Sequence, residues 1–560
     1  MSLSGTGLSG LLSAQRALEV VGHNVANAST PGYSRQRVEL ATGRPQSAVG
    51  AGQIGTGVKV AAIRRTVDEF LAGRVQGAES QLGAAETFAS GVGEFEEMWH
   101  HGGETLGASM TALANAAEEL AARPDDVVLR TQFLDQAQDL ARRVRGLAED
   151  TTQLRSDLGR SVAVDLDEAN GLVQEVKALS LDIRSLQVSG QAPNDLVDRR
   201  EVAIRALSRL VGAEASENGS GGVVLRVGGR VLLSGQNAET LSATQNADGI
   251  AVVRLGDEVV DLDGGQVLGV QQAQASGLSA DADLDSLARS VMQAVNRANA
   301  AGVPASGPYT LLQSGWPVAD HNGNGILTEG PLAVSGLPFV PSATTLQVSV
   351  TDPGGVRTTT PVSFDPATGS LDDLAAALDA VPFLNATASS GGILTLGAAP
   401  GYAFDFADLS GGDPDPGGLL ASLGFGAVFQ GQNAASMEVA ATSPTDLALG
   451  WTASPGDGRN ATRIASALSE GSALLEGATP SGFLGGIVSQ QGLVARRANS
   501  SLESSGATLD ALEDRIQSVS GVSLEEEVAD LLKFQQAFQA SARFLQVVND
   551  ISTTLMGIVN

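Results

Sequence analysis

The chain has no cysteine, few aromatic residues and little positive charge. Of its 560 residues none is Cys, 4% are Phe, Trp or Tyr, and 34 Lys and Arg stand against 63 Asp and Glu, a formal net charge of −29. The missing cysteines exclude disulfide frameworks, iron–sulfur clusters, thiolate zinc sites and cysteine nucleophiles. The acidic balance argues against binding a nucleic-acid backbone or an anionic lipid surface. We therefore expect neither nucleic acid nor a membrane as a partner.

Long apolar runs are missing as well. No run reaches the roughly 18 apolar residues that a membrane-spanning helix needs. The first residues lack the basic start and the uninterrupted apolar stretch of a secretory signal. We expect no membrane span and no cleavable signal, so any export must use another machine. The length alone predicts several domains, at about 150 residues each.

Both ends of the chain are predicted to form helices with a narrow apolar stripe. Apolar residues recur at spacings of three and four, which is typical of a helix packed along one seam. An isolated amphipathic helix of this kind is marginal in water, so we expect the two ends to pair. Ser523 followed by Glu526 predicts a capping box at the start of the last helix. The residues expected to line the N-terminal seam are Leu11, Leu18, Val21 and Val25, and those of the C-terminal seam are Leu531, Phe534, Phe538, Leu545 and Leu555.

A longer helical stripe lies between the ends, from about Phe133 to Ile183. Asp125 is its predicted N-cap, because Asp accepts hydrogen bonds from the free N–H groups of a first helical turn. Glycines at 146, 159 and 171 are expected points of interruption. A long, narrow stripe indicates a bundle or coiled coil rather than the helix of a globular enzyme.

The fold class predicted from these patterns is mainly α with β insertions. Both termini would form a long helical bundle or coiled coil, with β-rich domains projecting outward. Short alternating strands with glycine turns fill the middle of the chain. The expected divisions are a terminal helical domain (1–67 and 522–560), an elongated helical bundle (68–217 with 269–302 and 455–521), a small antiparallel β-domain (218–268), a linker (303–334) and a β-rich outer insertion (335–454).

Motifs for catalysis or cofactor binding are weak. The sequence GTGLSG at 5–10 matches a dinucleotide-binding pattern, but too few residues precede it for the strand that such a site requires. The four histidines have no metal-ligand spacing. Residues 320–327 resemble the start of an EF-hand loop, yet Pro331 stands where the bidentate Glu belongs, which favours a turn over a calcium site. We expect no catalytic residue, cofactor or metal.

Four motifs, in chain order, resemble those of one known family. They are ANASTPGYSRQ (26–36), PNDLVDRR (193–200), SVSGVSLEEE (518–527) and LLKFQQAFQASA (531–542). Together they are similar to segments of the bacterial flagellar axial proteins, which include rod, hook and hook-associated proteins. The form TPGYSRQ most resembles the hook-associated members. In the first motif, Pro31 and Gly32 suit the central positions of a type II turn. We expect the turn after the first helix to be set by Asn27, Thr30, Pro31, Gly32 and Tyr33.

The resemblance implies a non-enzymatic structural adaptor at the hook–filament junction. Such a protein leaves the cytoplasm through the flagellar type III apparatus and self-assembles outside the cell into a short ring. The expected partners are further copies of the chain, the flagellar hook protein, hook-associated protein 3 and a cytoplasmic chaperone on the C-terminal helix.

Two other functions remain open at the level of sequence. One is a distal-rod or hook protein of the same family, which would share the turn motif. The other is a secreted, calcium-dependent adhesin that uses the β-rich insertion and the loop at Asp320. The apolar face of the last helix also has two interpretations, ordinary packing within the chain or a seam between subunits.

Overall fold

The computed structural model describes residues 3–48, 52–217, 222–320 and 324–559. The N-terminal helix is followed by a β-hairpin. Strands β1 and β4 pair antiparallel, with a bulge at Ala61, and β2 pairs with β3 further along the same ribbon. The elements are α1 (Leu3–Asn27), β1 (Gln36–Thr42), β2 (Gln46–Ala48), β3 (Gly52–Ile54) and β4 (Val58–Arg65).

Three helices follow, and two of them are long: α2 (Glu69–Ala122), α3 (Val127–Val188) and α4 (Asn194–Val211). The predicted stripe of α3 is buried, from Phe133 through Thr151 and again from Val162 to Ile183. The expected interruptions at the three glycines are wrong, because α3 is continuous. Each glycine costs about 1 kcal/mol in a helix, and the burial of the stripe outweighs that cost.

The start of α3 also corrects a prediction. Asp126, not Asp125, caps the first turn, since its Oδ1 accepts a hydrogen bond from the Val128 N–H at 2.9 Å. The neighbouring Pro124 carbonyl accepts from the side chain of Arg130 at 2.7 Å.

A small antiparallel β-module comes next, as expected, although Asn218–Gly221 lie outside the described residues. It forms one sheet in the order β5-β6-β7-β8 and a second in the order β11-β10-β9. Gly277 lies inside helix α5. An added Cβ on Gly277 would come within 2.4 Å of the Phe95 ring, so this glycine permits close packing. The elements are β5 (Glu214–Glu217), β6 (Val223–Val227), β7 (Arg230–Ser234), β8 (Asn237–Ala238), β9 (Leu241–Gln245), β10 (Ala251–Leu255), β11 (Glu258–Val259) and α5 (Gln266–Ala300).

The predicted linker at 303–334 belongs to a folded module. Strand β12 joins the sheet β12-β16-β15, and Val318 and Leu332 are buried in the same core as the sheet β14-β13-β17. The apolar residues of this stretch stand among glycines in the sequence. Their burial stabilises the folded module relative to an exposed linker. The elements are β12 (Leu311–Gln313), β13 (Thr344–Thr351), β14 (Arg357–Phe364), α6 (Leu371–Asp379), β15 (Leu384–Ala388), β16 (Leu394–Ala398), β17 (Ala403–Asp405), α7 (Leu419–Ser422), β18 (Phe429–Gln430) and β19 (Glu438–Val439).

Three helices complete the chain: α8 (Arg459–Ser469), α9 (Pro480–Ser520) and α10 (Leu524–Val559). The chain divides into two compact units. Unit 1 comprises Met1–Gly91, Ser156–Ala275 and Arg496–Asn560, and unit 2 comprises Val92–Arg155 and Ser276–Ala495. Within the described ranges, no helix is both long enough and apolar enough to span a membrane.

Each unit has its own cores. In unit 1, the end of α3 and helix α4 pack on the β-module, and the start of α2 packs on the end of α9. In unit 2, one core joins parts of α2, α3, α5, α8 and α9, and a second fills the β-rich insertion.

A candidate assembly site where the chain termini meet

The turn after α1 has the predicted geometry. The Tyr33 N–H donates to the Thr30 carbonyl at 3.2 Å, and Gly32 has a φ of +76°. A type II turn with Pro31 second and Gly32 third requires that positive φ. A Cβ on Gly32 would lie 2.3 Å from Cγ2 of Val202 in α4. The type II turn is therefore confirmed, and the glycine also lets the turn approach α4.

Asn24, in the last turns of α1, connects the turn to the following strand. Its Oδ1 accepts from the Tyr33 hydroxyl at 2.8 Å and from the Gln36 N–H at 3.0 Å. Its Nδ2 donates to the Gln36 carbonyl at 2.9 Å and to Glu527 Oε2 at 3.0 Å. The side chain is 1% exposed and uses both donors and both acceptor positions. Burial raises the pKa of Tyr33, and the nearby carboxylates of Asp195, Asp198 and Glu527 raise it further.

Arg35 joins the turn to the start of α10. Its Nε donates to Glu527 Oε1 at 2.6 Å, a second guanidinium nitrogen binds Glu526, and its N–H donates to the Ser520 carbonyl at 3.0 Å. Burial lowers the pKa of Arg35, but its bonds with Glu526 and Glu527 outweigh this and raise it overall. Glu527 is 1% exposed, so this is a buried ion pair between residues almost 500 positions apart.

The predicted capping box at Ser523 forms only weakly. The Glu526 N–H lies 3.5 Å from the Ser523 hydroxyl, at the limit of a hydrogen bond. The Glu526 carboxylate binds Arg35, which is a stronger, charge-assisted partner than a backbone N–H.

Helix α4 completes the cluster through its first turns, which carry the PNDLVDRR motif. Gln36 donates to Asp195 at 3.0 Å and accepts from Asn194 at 3.0 Å. Asp198 accepts from the Ser34 N–H at 3.2 Å and from Arg65 at 2.6 Å. Burial raises the pKa of Asp198, with Arg65 acting in the opposite direction. Three of the four family motifs therefore meet in one partly buried polar cluster, which we call the terminal cluster.

Helices α1 and α10 pack antiparallel beside the terminal cluster. An added Cβ would meet Leu545 at 2.9 Å from Gly7 and the Ser541 hydroxyl at 2.9 Å from Gly10, whereas Asn24 contacts Glu527 at the other end. The pairing of the chain ends is thus confirmed.

The predicted seam residues differ from one another in how far their side chains are buried within this pair. Val21 is buried, Leu11 and Leu18 are half-buried, and Val25 is 40% exposed. Leu531, Phe534, Phe538 and Leu545 are half-buried, and Leu555 belongs to α10 but its side chain lies outside the described residues. The fully buried apolar residues of α1 are Ala14, Ala17, Val20 and Val21, of which Val21 is a predicted seam residue.

The helix pair also leaves apolar side chains in solvent. Eight large apolar side chains of the pair are at least half exposed. Exposed apolar side chains of this size are typical of a contact with another chain. These residues are Leu8, Leu12, Leu524, Val528, Leu532, Val547, Ile551 and Met556.

The loop at Asp320 has the hydrogen bonds of a turn. Asp320 Oδ2 accepts from the Gly325 N–H at 2.6 Å, and Asn324 Oδ1 accepts from the Ile326 N–H at 2.8 Å. His321 to Gly323 lie outside the described residues. In the part of the chain that the structure describes, no group of three or more His, Cys, Asp or Glu is placed to hold a metal ion.

The chain resembles flagellar proteins along its whole length. Residues 92–310 match the family model described as the flagellar hook-associated protein FlgK helical domain. Residues 5–33 match the flagella basal body rod protein family, and 516–558 match the C-terminal family of the basal body rod FlgEFG proteins. The two rod-type matches cover parts of α1 and α10, and each reaches the terminal cluster.

Relatives with the same name match from end to end. Flagellar hook-associated protein 1 of Bacillus subtilis is 24% identical over 96% of this chain and 95% of its own length. The protein of that name from Escherichia coli is 23% identical over 100% of both chains. The solved flagellar hook junction protein FlgK of Burkholderia pseudomallei shares the fold, with a TM-score of 0.54 and 16% identity over 80% of this chain and 100% of its own. In its family matches and its full-length relatives, the chain is therefore similar to flagellar hook-associated protein 1 from end to end.

Proposed function

We propose that this chain is a structural adaptor at the hook–filament junction of the bacterial flagellum. The observation that carries the proposal is the terminal cluster, in which motifs from three distant parts of the chain fix α1 and α10 as a pair. That pair presents apolar side chains to solvent, so it is built to be covered by further protein. The full-length relatives carry the name of hook-associated protein 1, which supports the same location.

The adaptor works by self-assembly after export. Copies of the helix pair pack side by side into a short ring, with the hook protein on one side and hook-associated protein 3 on the other. The seam residues Leu11, Leu18, Val25, Phe534 and Phe538 are half-buried or exposed in the single chain, which leaves them able to pack against a neighbour. No reacting group is needed for this role, and we propose that the protein is not an enzyme.

Before assembly the same apolar face needs protection. We propose that a cytoplasmic chaperone binds α10 until the chain enters the type III export apparatus, because an exposed amphipathic helix favours aggregation. The protein would then reside outside the cell, on the flagellum, with a transient cytoplasmic stage.

Deletion of the gene tests the proposal. Electron microscopy of the deleted cells should show hooks without filaments, and flagellin monomers should accumulate in the medium, because only the foundation of the filament is missing. Cells without hooks would instead indicate a distal-rod or hook subunit. Normal filaments would contradict any junction role.

A further inference from the structure

Charge is distributed very unevenly along this acidic chain. Residues 1–75 contain eight Lys and Arg against four Asp and Glu, whereas the whole chain has 34 against 63. Residues 498–532 show the opposite bias, with eight acidic residues against one basic residue. Both segments belong to unit 1.

Three of these basic residues lie on one exposed face of the hairpin β1–β4. Arg37 and Arg64 stand directly opposite each other across the two strands, and both are exposed. The bulge at Ala61 brings Lys59 to the same face, further along β4. Glu39 binds Arg64 at 3.1 Å, but Arg37 and Lys59 form no ion pair with any residue that the structure describes. Like charges in opposite positions destabilise a hairpin, so this face favours an acidic partner.

The acidic residues form a strip along α9. Glu503, Asp510 and Asp514 are spaced by seven and four residues, which puts them on one side of the helix, and all three are exposed. Within the described ranges, none of these carboxylates forms an ion pair. The strip is about 16 Å long at about 1.5 Å per residue, and the distance from Lys59 to Arg64 is also about 16 Å at about 3.3 Å per residue.

We propose that the basic hairpin face of one copy docks on the acidic strip of α9 in a second copy of this chain. Both faces are exposed in the same unit, so neither neutralises the other within one molecule. Two different surfaces that bind each other make a head-to-tail contact, which repeats from copy to copy and closes into a ring or continues as a helix. The inference deepens the proposed function, on which it rests, by naming a lateral contact of the ring.

The apolar surface and the charged surfaces contribute to assembly in different ways. The apolar face of α1 and α10 supplies affinity, because it buries apolar area. Charge complementarity contributes mainly to the rate, the register and the choice of partner. The contact should therefore weaken as salt rises, since the paired charges lie at the surface.

A charge exchange in full-length protein tests the contact. Arg37→Glu with Arg64→Glu reverses the hairpin face, and Asp510→Arg with Asp514→Arg reverses the strip. Each variant is expressed in cells deleted for the gene, and flagellar filaments are counted by electron microscopy. We expect each pair alone to lower the filament number at least tenfold and all four changes together to restore it. The matched control is Arg160→Glu with Arg230→Glu, two exposed arginines of unit 1 outside the terminal cluster whose reversal changes the net charge by the same amount and should leave filaments unchanged.

The outcomes separate this contact from the function on which it rests. Deleted cells that keep hooks but lack filaments, and that regain filaments with the wild-type gene, establish the junction role whatever the variants do. If each reversed pair still supports normal filaments, or if all four changes fail to restore them while thermal melting shows folded protein, the contact is wrong. If the wild-type gene is not needed for filaments, the proposed function itself fails.

Discussion

Gly32 meets two steric demands at the same position. It has a positive φ, which costs other residues about 1–2 kcal/mol, and it has no Cβ to collide with Val202. Gly32→Ala should therefore lower the free energy of unfolding of unit 1 by about 2 kcal/mol or more, measured by urea denaturation of the full chain. Gly22→Ala is the control, because Gly22 lies in a helix and has open space around it. That change should be neutral or stabilising by up to about 1 kcal/mol. Equal effects of the two substitutions would contradict this account.

Asp281 makes the stability of unit 2 dependent on pH. Burial raises its pKa to about 6, with Arg155 acting in the opposite direction and Asp285 adding to the increase. The folded state therefore binds a proton below about pH 6, before the unfolded carboxyl does near pH 4. The stability of the wild type relative to Asp281→Asn should rise by up to about 2 kcal/mol as the pH falls from 7 to 4. Thermal melting of both proteins across this range measures it, and a constant difference would disprove the role of Asp281.

Single residues also define the limit of prediction from sequence. The turn at Pro31 and Gly32 could be predicted because its geometry depends on two adjacent residues. The role of Asn24 could not be predicted, because its hydrogen-bond partners Gln36 and Glu527 lie on β1 and α10. One signal was present, namely a polar residue three positions after the buried Val21. A buried polar group must find hydrogen bonds, but the sequence does not say where.

At the scale of elements, helices with a long apolar period were the most predictable. The apolar stripe of α3 is buried as expected. It could be predicted because its period repeats over many turns, so that a single unfavourable residue such as glycine does not hide the pattern. The stretch at 303–334 was mistaken for a linker, because β12 has three residues and pairs with a strand much further along the chain. In α1 the buried Ala17 was not predicted, because an alanine carries a weak hydrophobic signal.

Helix α10 is the element on which assembly should depend. Phe538→Asp puts a charge on its half-buried face, where desolvation is costly, so the variant should fold in unit 2 and fail to enter flagella. Gln539→Asp adds the same charge at an exposed position of the same helix and should assemble normally. Filament counts in complemented cells measure assembly, and circular dichroism measures folding. Normal filaments with Phe538→Asp would rule out this face as a seam.

For the whole molecule, the buried pair of Arg35 and Glu527 couples the two ends of the chain. Arg35→Met leaves the Glu527 charge buried without its cation and should cost about 3 kcal/mol in the stability of unit 1, whereas Glu527→Gln should cost less because Arg35 keeps its ion pair with Glu526. The double variant should cost less than the sum of the two, which a double-mutant cycle by urea denaturation measures. The exposed pair Arg16 and Glu19 is the control and should couple by less than about 1 kcal/mol. Additive losses at Arg35 and Glu527 would show that the ends are not coupled there.

The span of this contact has a consequence for timing. Arg35 and Glu527 are separated by 492 residues, so α1 and α10 cannot form their joint structure until both ends of the chain are in the same compartment. In a chain that passes through a narrow channel one end first, the leading end must wait while the rest follows. The pairing of α1 with α10 therefore forms only after the whole chain has passed. A molecule that stops halfway would keep its leading terminal helix unpaired and could not join a lattice.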